Sequence, residues 1–560
     1  MDDRVLTTTS REKTIEPGRD IMNAIASIIR PHCFENLQGL AAYQEDQFLI
    51  LDGDKGYIAT IDSSNNTTII NSGQTDYFRY ASGLDYYHHE IWYTKNKRVL
   101  RIQDDFSSEP EVFAVLKPKV SGVVVTKTEV YVVTTINRIY VFKNTRTAGT
   151  PQPIREYDSP GAEVDDITFH NGHLWVCDSA EQTIYCLDPD TGKVKYSFLV
   201  PFESPKGIAF SKDQLYVAYS NEEAVIKDDG AGETLDLVMK KQSRNFIHRL
   251  LFQHNETKRY TKSGGYLIEA SYVEEIDPIR EARDSDEPFE WWMSLPNATE
   301  RQEVINIQWI GKDFTVQEDG DQTYAVFKFE RLNLGERHVF GWKAILKVHA
   351  IKYNLTPADV DEHLVLPNDM KDKYLRDDDN LAMHASIVKK AAREATQGAT
   401  NILDRVLKIR NYVYEQLTYR MEGGTDAPDV VLKRGNGSCG EYLGVLMALM
   451  RLNGIACRKA GRYKIPYYKV NPESRNVPIE PDFNHVWVEF YIPGWGWIPM
   501  ESSADDNETG KWTMRYFMGL QWYHIQMQQG SPFEYLTGTD NSVGDLSINC
   551  IRFKILEELN

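Results

Sequence analysis

A cysteine in the C-terminal third of the chain stands where a helix start would activate it. Ser438 and Glu441 flank Cys439 in the order Ser-x-x-Glu ahead of an apolar run. This capping box predicts a buried helix that begins at Cys439 and ends before Gly454. A thiol there lies among unpaired backbone N–H groups at the positive end of the helix dipole. Such surroundings favour the thiolate, and these cysteines titrate at about 3.5–7.5 instead of about 8.5.

A predicted hairpin downstream supplies a histidine and a carboxylate. Polar and apolar side chains alternate from His485 to Ile492, which predicts a strand, and Pro493-Gly494-Trp495-Gly496 predicts a turn. His485 and Glu501 lie at equal distances from Pro493, so a hairpin folded there places them opposite each other within about one residue. Cys439, His485 and Glu501 would then converge.

These three residue types are the ones that acyl transfer through a thioester requires. The cysteine is the nucleophile, the imidazole keeps it ionised and later protonates the leaving amine, and the carboxylate fixes the orientation of the imidazole. The backbone N–H of Cys439 is one donor for an oxyanion. The sequence does not identify the second donor.

Four separated segments resemble the transglutaminase-like branch of the papain-type cysteine enzymes. They are Gly437-x-Cys439-x-Glu441-Tyr442, Leu449-x-Arg451-x-x-Gly454-Ile455-x-x-Arg458, His485-x-Trp487-Val488-Glu489 and Gly496-Trp497-Ile498-Pro499. The resemblance implies an α+β papain-like core. The family usually has aspartate where Glu501 stands, so Asp505 and Asp506 are alternative partners for His485.

Aromatic residues near the predicted hairpin are candidates for substrate binding. The segment 463–483 is rich in tyrosine and proline. We predict that Tyr467, together with Trp495 and Trp497, gates or lines a substrate cleft. The alternative is an ordinary surface loop beside tryptophans of the core.

The N-terminal half contains an internal repeat of about 40–45 residues, a period typical of β-propellers. The first strands of the successive units start at Gly39, Gly83, Gly122, Asp166 and Gly207. Five blades are recognisable, and a further strand at 246–252 leaves a sixth open. Because the resemblance to propellers is architectural, it implies no activity.

Polar and apolar side chains alternate over long segments of residues 262–355, which predicts an antiparallel β-sandwich. The predicted fold is therefore multidomain: an all-β propeller, an antiparallel β-sandwich and an α+β papain-like transglutaminase core. The predicted boundaries are a leader over 1–30, the propeller over 31–260, the sandwich over 262–355 and the catalytic domain over 356–560. We expect the C-terminal tail to complete the catalytic domain, and His524 within it to be a core or surface residue.

The composition excludes several classes of protein. The 560 residues are 41% hydrophobic and 26% charged, with a net charge of −19 and no basic stripe that would indicate nucleic-acid binding. There is no signal-peptide pattern and no long apolar run, so we predict a cytoplasmic protein with no membrane partner. The six cysteines form no CxxC pair, and we predict no metal and no cofactor.

The favoured hypothesis is a cysteine enzyme that acts on amide bonds of peptides or proteins. Water as the second substrate makes it a protease or amidase, and an amine makes it a cross-linking transglutaminase. We favour hydrolysis because the resemblance to bacterial proteins of this layout implies a peptidase. The alternatives are a non-catalytic interaction protein that uses the propeller, and a lyase-type activity of the propeller itself. The propeller is also a candidate surface for recruiting a protein substrate.

Overall fold

The computed structural model of the chain describes residues 28–145, 151–227, 238–277, 287–331, 336–361, 363–378, 380–420, 425–466, 475–501, 503–505 and 512–559. Within these ranges, no helix is both long enough and apolar enough to cross a membrane.

The N-terminal part consists of five four-stranded antiparallel sheets. Their strands, in chain order, are β1 (Ile28–Ile29), β2 (Leu37–Gln44), β3 (Gln47–Asp52), β4 (Tyr57–Asp62), β5 (Thr67–Ile69), β6 (Ala81–Tyr87), β7 (Glu90–Lys95), β8 (Arg98–Gln103), β9 (Glu111–Val115), β10 (Val120–Val125), β11 (Glu129–Thr134), β12 (Arg138–Lys143), β13 (Arg155–Asp158), β14 (Val164–His170), β15 (His173–Asp178), β16 (Thr183–Leu187), β17 (Val194–Leu199), β18 (Pro205–Ser211), β19 (Gln214–Lys227) and β20 (Val238–Leu250). A single turn of helix, α1 (Thr75–Phe78), separates the first two sheets.

The five sheets form a closed ring, as expected for propeller blades. Their first strands contact one another in the order β2, β6, β10, β14, β18, and β18 returns to β2. Glycines permit this approach: a Cβ on Gly39 would lie 2.7 Å from the Cβ of Leu84, and one on Gly207 would lie 2.9 Å from the backbone nitrogen of Leu40. The glycines that mark the repeat in the sequence are therefore required by the close packing of the first strands.

The N-terminal strand closes the ring. In the fifth sheet β1 pairs with β20, with Ile28 opposite His248 and Ile29 opposite Ile247. The segment 246–252, which left a sixth blade open, divides between β20 and β21 (Phe252–Asn255), and β21 belongs to the next sheet of the chain. The described residues therefore form five blades, and the strand preceding residue 31 belongs to the propeller.

Two further sheets follow the ring. One contains β21, β22 (Tyr260–Ile276), β24 (Gln302–Ile310), β27 (His338–Tyr353), β33 (Gly519–Leu520) and β36 (Ser547–Leu559). The other contains β23 (Phe289–Ser294), β25 (Thr315–Asp319), β26 (Gln322–Phe329) and β35 (Glu534–Thr537).

The C-terminal tail is divided between sheets: residues 524–529 join the sheet that carries His485, and the later strands of the tail join these two sheets. β36 pairs along β22, with Ile276 opposite Ser547, and β35 pairs with β23. Both sheets share one hydrophobic core, which also includes Tyr463 and Ile525 of the following region. A separate sandwich limited to residues 262–355 is therefore not clearly delimited, because its pairing and its core extend into later parts of the chain.

The remaining elements form an α+β core. Its helices are α2 (Asn368–Tyr374), α3 (Ser386–Ala395), α4 (Ile402–Gln416), α5 (Pro428–Arg434) and α6 (Cys439–Leu452), preceded by a 3-10 turn at Pro357–Asp359 and followed much later by α7 (Val543–Leu546). Its strands are β28 (Thr418–Tyr419), β29 (Asn436–Gly437), β30 (Cys457–Lys464), β31 (His485–Ile492), β32 (Gly496–Met500) and β34 (His524–Gln529).

The central helix α6 packs against an antiparallel sheet of order β32-β31-β30-β34, and α3, α4 and α5 pack around it. Local sequence explains these helices. Asn401 accepts a hydrogen bond from the Asp404 backbone N–H at 3.0 Å and so begins α4. Val406, Ile409 and Val413 recur at helical spacing and are fully buried.

Candidate active site

Cys439 is the first residue of α6, as the capping box predicts. Ser438 precedes it as the N-cap, and its backbone N–H donates to Glu441 Oε2 at 2.8 Å. Glu441 Oε1 accepts from the Asp426 N–H at 3.1 Å and from Arg434 at 2.7 Å. These bonds fix the turn that presents the half-buried Cys439 side chain at the helix N-terminus, where the dipole favours a thiolate.

The approach to Cys439 is equally constrained. β28 pairs in parallel with β29, which places Tyr419 beside Gly437. A Cβ on Gly437 would lie 3.0 Å from the Cβ of Glu441, so glycine lets the chain pass close to the first turn of α6. Burial, together with the neighbouring Cys439 and Glu501, raises the pKa of Tyr419 to about 12.

His485 lies between Glu501 and Cys439. Its Nε2 hydrogen-bonds to Glu501 Oε2. Its buried Nδ1 has no hydrogen bond within the usual distance limits among the described residues. Burial lowers the pKa of His485, but the Glu501 carboxylate and the Cys439 side chain outweigh this and raise it above its ordinary value. The imidazole therefore has one nitrogen bound to the acid and the other available to the thiol.

Glu501 is a buried carboxylate held in the ionised form. Burial alone would raise its pKa, but His485, Lys464 and Ser503 lower it to about 2. Oε1 accepts a hydrogen bond from the Ser503 hydroxyl at 2.5 Å and one from the Ala504 N–H at 3.3 Å. With Oε2 bound to His485, both oxygens of the carboxylate are satisfied, which fixes its orientation.

The register of the hairpin differs from the predicted one. Ile492 faces Gly496 and Val488 faces Met500, so the turn is centred one residue later than Pro493. Continued beyond β32, this register places Glu501 two positions away from the residue opposite His485. The glutamate side chain still reaches the imidazole, and its additional methylene relative to aspartate extends that reach.

The alternative carboxylates have other roles or lie outside the described residues. Asp505 is fully buried, with Oδ2 3.1 Å from Arg410 Nη2 and Oδ1 3.3 Å from Arg515 Nε. Burial raises the pKa of Asp505 to about 6, although the two arginines oppose the shift. Asp506 lies outside the described residues.

Sequence reasoning missed Lys464, Ser503 and His524. Lys464 is the last residue of β30 and faces His524 of β34. Burial lowers the pKa of Lys464, while nearby Glu501 and Cys439 oppose the shift. His524 is a buried residue, within the expected alternatives, but its Nε2 lies 4.0 Å from Glu501 Oε2. Only Ser503, two residues after Glu501, could have been found from its spacing.

The predicted substrate-binding tryptophans do not lie at the catalytic cysteine. Trp495 and Trp497 line a cavity of about 760 Å³ whose lining includes neither Cys439 nor His485. Trp495 and Trp497 follow the C-terminal end of β31, and the eight residues of this strand separate its two ends by about 23 Å. Trp495 and Trp497 therefore lie away from Cys439, their role in substrate binding stays a prediction, and Tyr467 lies outside the described residues.

One set of side chains at the site has the donor types of a metal centre. His485, Glu501 and His524 bring their ligand atoms within 4.8 Å of one another. Two histidines and a glutamate are a combination that Zn²⁺ accepts. However, His485 and Glu501 already hydrogen-bond directly, and a cation would displace that bond. The observed geometry fits a cysteine–histidine–carboxylate arrangement better than a metal site.

The family comparison agrees with this geometry. Residues 389–502 match the model of the transglutaminase-like superfamily, a range that includes Cys439, His485 and Glu501. The chain contains a transglutaminase-like core, preceded by a β-rich region that matches propeller proteins. No curated protein matches the sequence.

Several solved structures are distantly similar. A cysteine protease candidate from Cytophaga hutchinsonii is 15% identical over 53% of this chain and 93% of its own, with a TM-score of 0.37. Virginiamycin B lyase from Staphylococcus aureus is 17% identical over 38% of this chain and 72% of its own, with a TM-score of 0.25. A chain of a nidogen–laminin complex is 13% identical over 31% of this chain and 66% of its own, with a TM-score of 0.25.

Proposed function

We propose that this chain is a cysteine-dependent acyl-transfer enzyme that acts on amide bonds of peptides or proteins. The observation that carries the proposal is the position of His485. Its Nε2 is bonded to an ionised Glu501, and the side chain of Cys439, at a helix N-terminus, acts on the pKa of the same imidazole. A nucleophile, a base and an orienting group in contact are the arrangement that covalent acyl transfer requires.

The reaction follows from these contacts. The Cys439 thiolate attacks the carbonyl carbon, and the backbone N–H of Cys439 donates to the oxyanion that forms. The His485 imidazolium gives its proton to the departing amine, which leaves a thioester on Cys439. His485 then takes a proton from water, the hydroxide attacks the thioester, and the released thiolate regains its imidazolium partner. Glu501 holds the ring throughout.

We propose water as the second substrate, so that the enzyme is a protease or amidase. Transfer to an amine is the alternative, because the same thioester can react with either nucleophile. A glutamine-containing peptide incubated with and without a primary amine separates the two. Backbone cleavage regardless of amine supports a protease, whereas ammonia release with amine incorporation supports cross-linking.

The variant Cys439→Ala tests the enzyme against the alternatives. We expect complete loss of amide chemistry with an unchanged fold, while Cys550→Ala, which removes an exposed thiol, retains full activity. An active Cys439→Ala protein would contradict the proposal and would favour chemistry or binding at the propeller.

We propose further that the propeller recruits the protein substrate. The fourth blade is packed against the core: the Met514 N–H donates to Glu181 at 3.1 Å, and Gln521 donates to the carbonyl of Val200 at 2.7 Å. The propeller surface is therefore held in a fixed position beside the catalytic region. Chemical cross-linking of a protein substrate to the Cys439→Ala variant should join it to residues 28–250. Cross-links confined to residues 380–559 would contradict recruitment.

A further inference from the structure

A cavity of about 760 Å³ lies between the catalytic sheet and the large β-sheet that precedes it. Tyr260 and Tyr353 line it from the large sheet, and Trp495 and Trp497 line it from the hairpin that carries His485. Its volume falls within the range of about 300–1,000 Å³ found for small-molecule sites. Aromatic walls with a few polar groups are also typical of such sites.

The carboxylates that line the cavity are already paired. Glu489 accepts from Arg458 at 2.8 Å, and Arg458 also contacts Asp321 at 3.3 Å. Glu300 binds Lys258 and accepts from the Tyr260 hydroxyl at 3.0 Å. The negative charges of the lining are therefore already neutralised by protein side chains, and the cavity does not favour a cationic ligand.

Arg301 is the exception among the charged residues of the lining. It is 4% exposed, and no ion pair joins it to a carboxylate among the described residues, although Glu489 lies near enough to act on its charge. Its guanidinium donates only to the backbone carbonyls of His349 at 3.2 Å, Gln521 at 3.4 Å, and His524. Its Nε is buried without a partner in the described part of the chain. Burial lowers the pKa of Arg301 to about 9, so the group still carries its charge at neutral pH.

We propose that this cavity is a binding site for a small organic carboxylate, with Arg301 pairing the carboxylate and Trp495 and Trp497 contacting an apolar or aromatic body. Glu489 offsets the charge of Arg301 without direct contact and is itself paired with Arg458, so an anionic ligand in contact with Arg301 compensates the buried cation more fully. Arginine binds carboxylates through parallel N–H donors, which gives selectivity over neutral isosteres. The site is separate from the chemistry at Cys439.

The same arginine connects the cavity to the catalytic residues. Arg301 Nη2 donates to the backbone carbonyl of His524, and the ring of His524 lies 5.7 Å from that of His485, centroid to centroid. His524 Nε2 is 4.0 Å from Glu501 Oε2. A ligand whose carboxylate attracts the guanidinium weakens the hydrogen bond from Arg301 to the His524 carbonyl and so alters the position of His524. Occupancy of the cavity therefore alters the reactivity of Cys439.

Binding is tested with N-acetyl-tryptophan and its neutral amide on the Cys439→Ala protein by titration calorimetry. We expect the acid to bind at least about tenfold more tightly than the amide. Arg301→Gln should make the two affinities equal, and Trp495→Leu should weaken both. The control is Lys328→Gln, which removes a cation paired with Glu290 outside the cavity and should leave the preference for the acid unchanged.

Equal binding of acid and amide to the Cys439→Ala protein, or no binding of either, would overturn the site. If Arg301→Gln does not fold, Trp495→Leu still locates the ligand, because unchanged acid binding in that variant places it elsewhere and overturns the proposal. A tripeptide ending in tryptophan distinguishes two sources of the carboxylate, a peptide C-terminus and a free organic acid. Tighter binding of the tripeptide identifies a peptide C-terminus, and tighter binding of N-acetyl-tryptophan identifies a free acid; both support the site.

The connection to catalysis has its own test. The alkylation rate of Cys439 in the unsubstituted protein is measured with and without saturating N-acetyl-tryptophan. We expect a change of several-fold that is absent in Arg301→Gln and retained in Lys328→Gln. Binding that leaves the alkylation rate unchanged overturns the connection. Because calorimetry uses a protein without the nucleophile, failure of the proposed enzyme activity does not affect the binding result.

Discussion

His485 is held between two side chains that favour its protonated form. Glu501, with its pKa lowered to about 2, stays ionised at every ordinary working pH. The raised pKa of His485 keeps the imidazolium populated above the usual range of histidine. Cys439 therefore faces a cation over a broad pH interval, and an adjacent imidazolium stabilises the thiolate form of a cysteine.

We predict that the alkylation rate of Cys439 by iodoacetamide is nearly constant from neutral pH down to about pH 5. Glu501→Gln keeps the size of the side chain but removes its charge, so burial dominates and the pKa of His485 falls. The alkylation rate at pH 6 should then drop by at least about tenfold, because one pKa unit is a tenfold change in population. Peptide-resolved mass spectrometry measures the rate.

Cys33 and Cys550 are exposed thiols and serve as internal controls in the same digest. The pH profile of Cys439 is compared with the profiles of these two thiols in both proteins. A Cys439 that follows these two cysteines in the unsubstituted protein would show that no thiolate–imidazolium pair exists.

The sequence predicted the residues of the site whose positions depend on the local chain. The capping box located Cys439, and the alternation of polar and apolar residues located His485. Lys464 and His524 were not predicted to lie at the site, because they reach Glu501 only through the pairing of β30 with β34, which no sequence spacing encodes.

The first turn of α6 is the element on which the position of the thiol depends. Glu441 is 4% exposed and satisfies the backbone N–H groups of both Ser438 and Asp426. Glu441→Ala leaves these donors and Arg434 without their acceptor. We expect the free energy of unfolding, measured with urea, to fall by about 1–3 kcal/mol.

The matched control is Glu415→Ala, since Glu415 is an exposed residue of α4. Its effect should be within about 0.5 kcal/mol. An equal effect of the two substitutions would contradict the role assigned to Glu441 in fixing the helix start.

The sequence predicted the two strands of the hairpin but not their register. The register differs by one residue in the centre of the turn from the predicted one, and Gly494 and Gly496 in this turn adopt φ values of 86° and 87°. Such conformations are accessible to glycine and depend on the local turn geometry, which the sequence pattern does not specify. The position of Trp495 and Trp497 in a separate cavity has the same origin, because they follow the end of β31 that is remote from His485.

At the scale of the whole molecule, the closed ring of blades depends on a two-residue strand. Ile29 is 2% exposed and packs in one cluster with Leu37 and Ile247. Ile29→Ala should destabilise the fifth blade by about 2–5 kcal/mol. Hydrogen exchange should accelerate in β20, where the pairing with β1 is weakened.

Ile69→Ala is the matched control, because Ile69 lies on the outer strand of the first blade and is 39% exposed. It should leave exchange in the fifth blade unchanged. Equal exchange in both variants would show that β1 does not close the ring.

The repeat period predicted the blades because each blade is formed by neighbouring strands. It did not predict the closure by β1 or the pairing of β36 with β22, because both join segments far apart in the chain. The expectation that the tail completes the catalytic domain accounts for β34, which pairs with β30, but not for β35 and β36, because long-range pairing depends on tertiary packing and not on local periodicity.

The long-range pairing also bears on how the chain folds. β22 is synthesised long before β36, the strand that covers one of its edges, and an uncovered edge strand exposes backbone groups that can pair with other chains. Pairing between such distant segments raises the mean sequence separation of contacting residues, which slows folding. The nascent chain therefore has a period of exposure to aggregation in which a chaperone would be most effective, and this period ends only when residues 547–559 have left the ribosome.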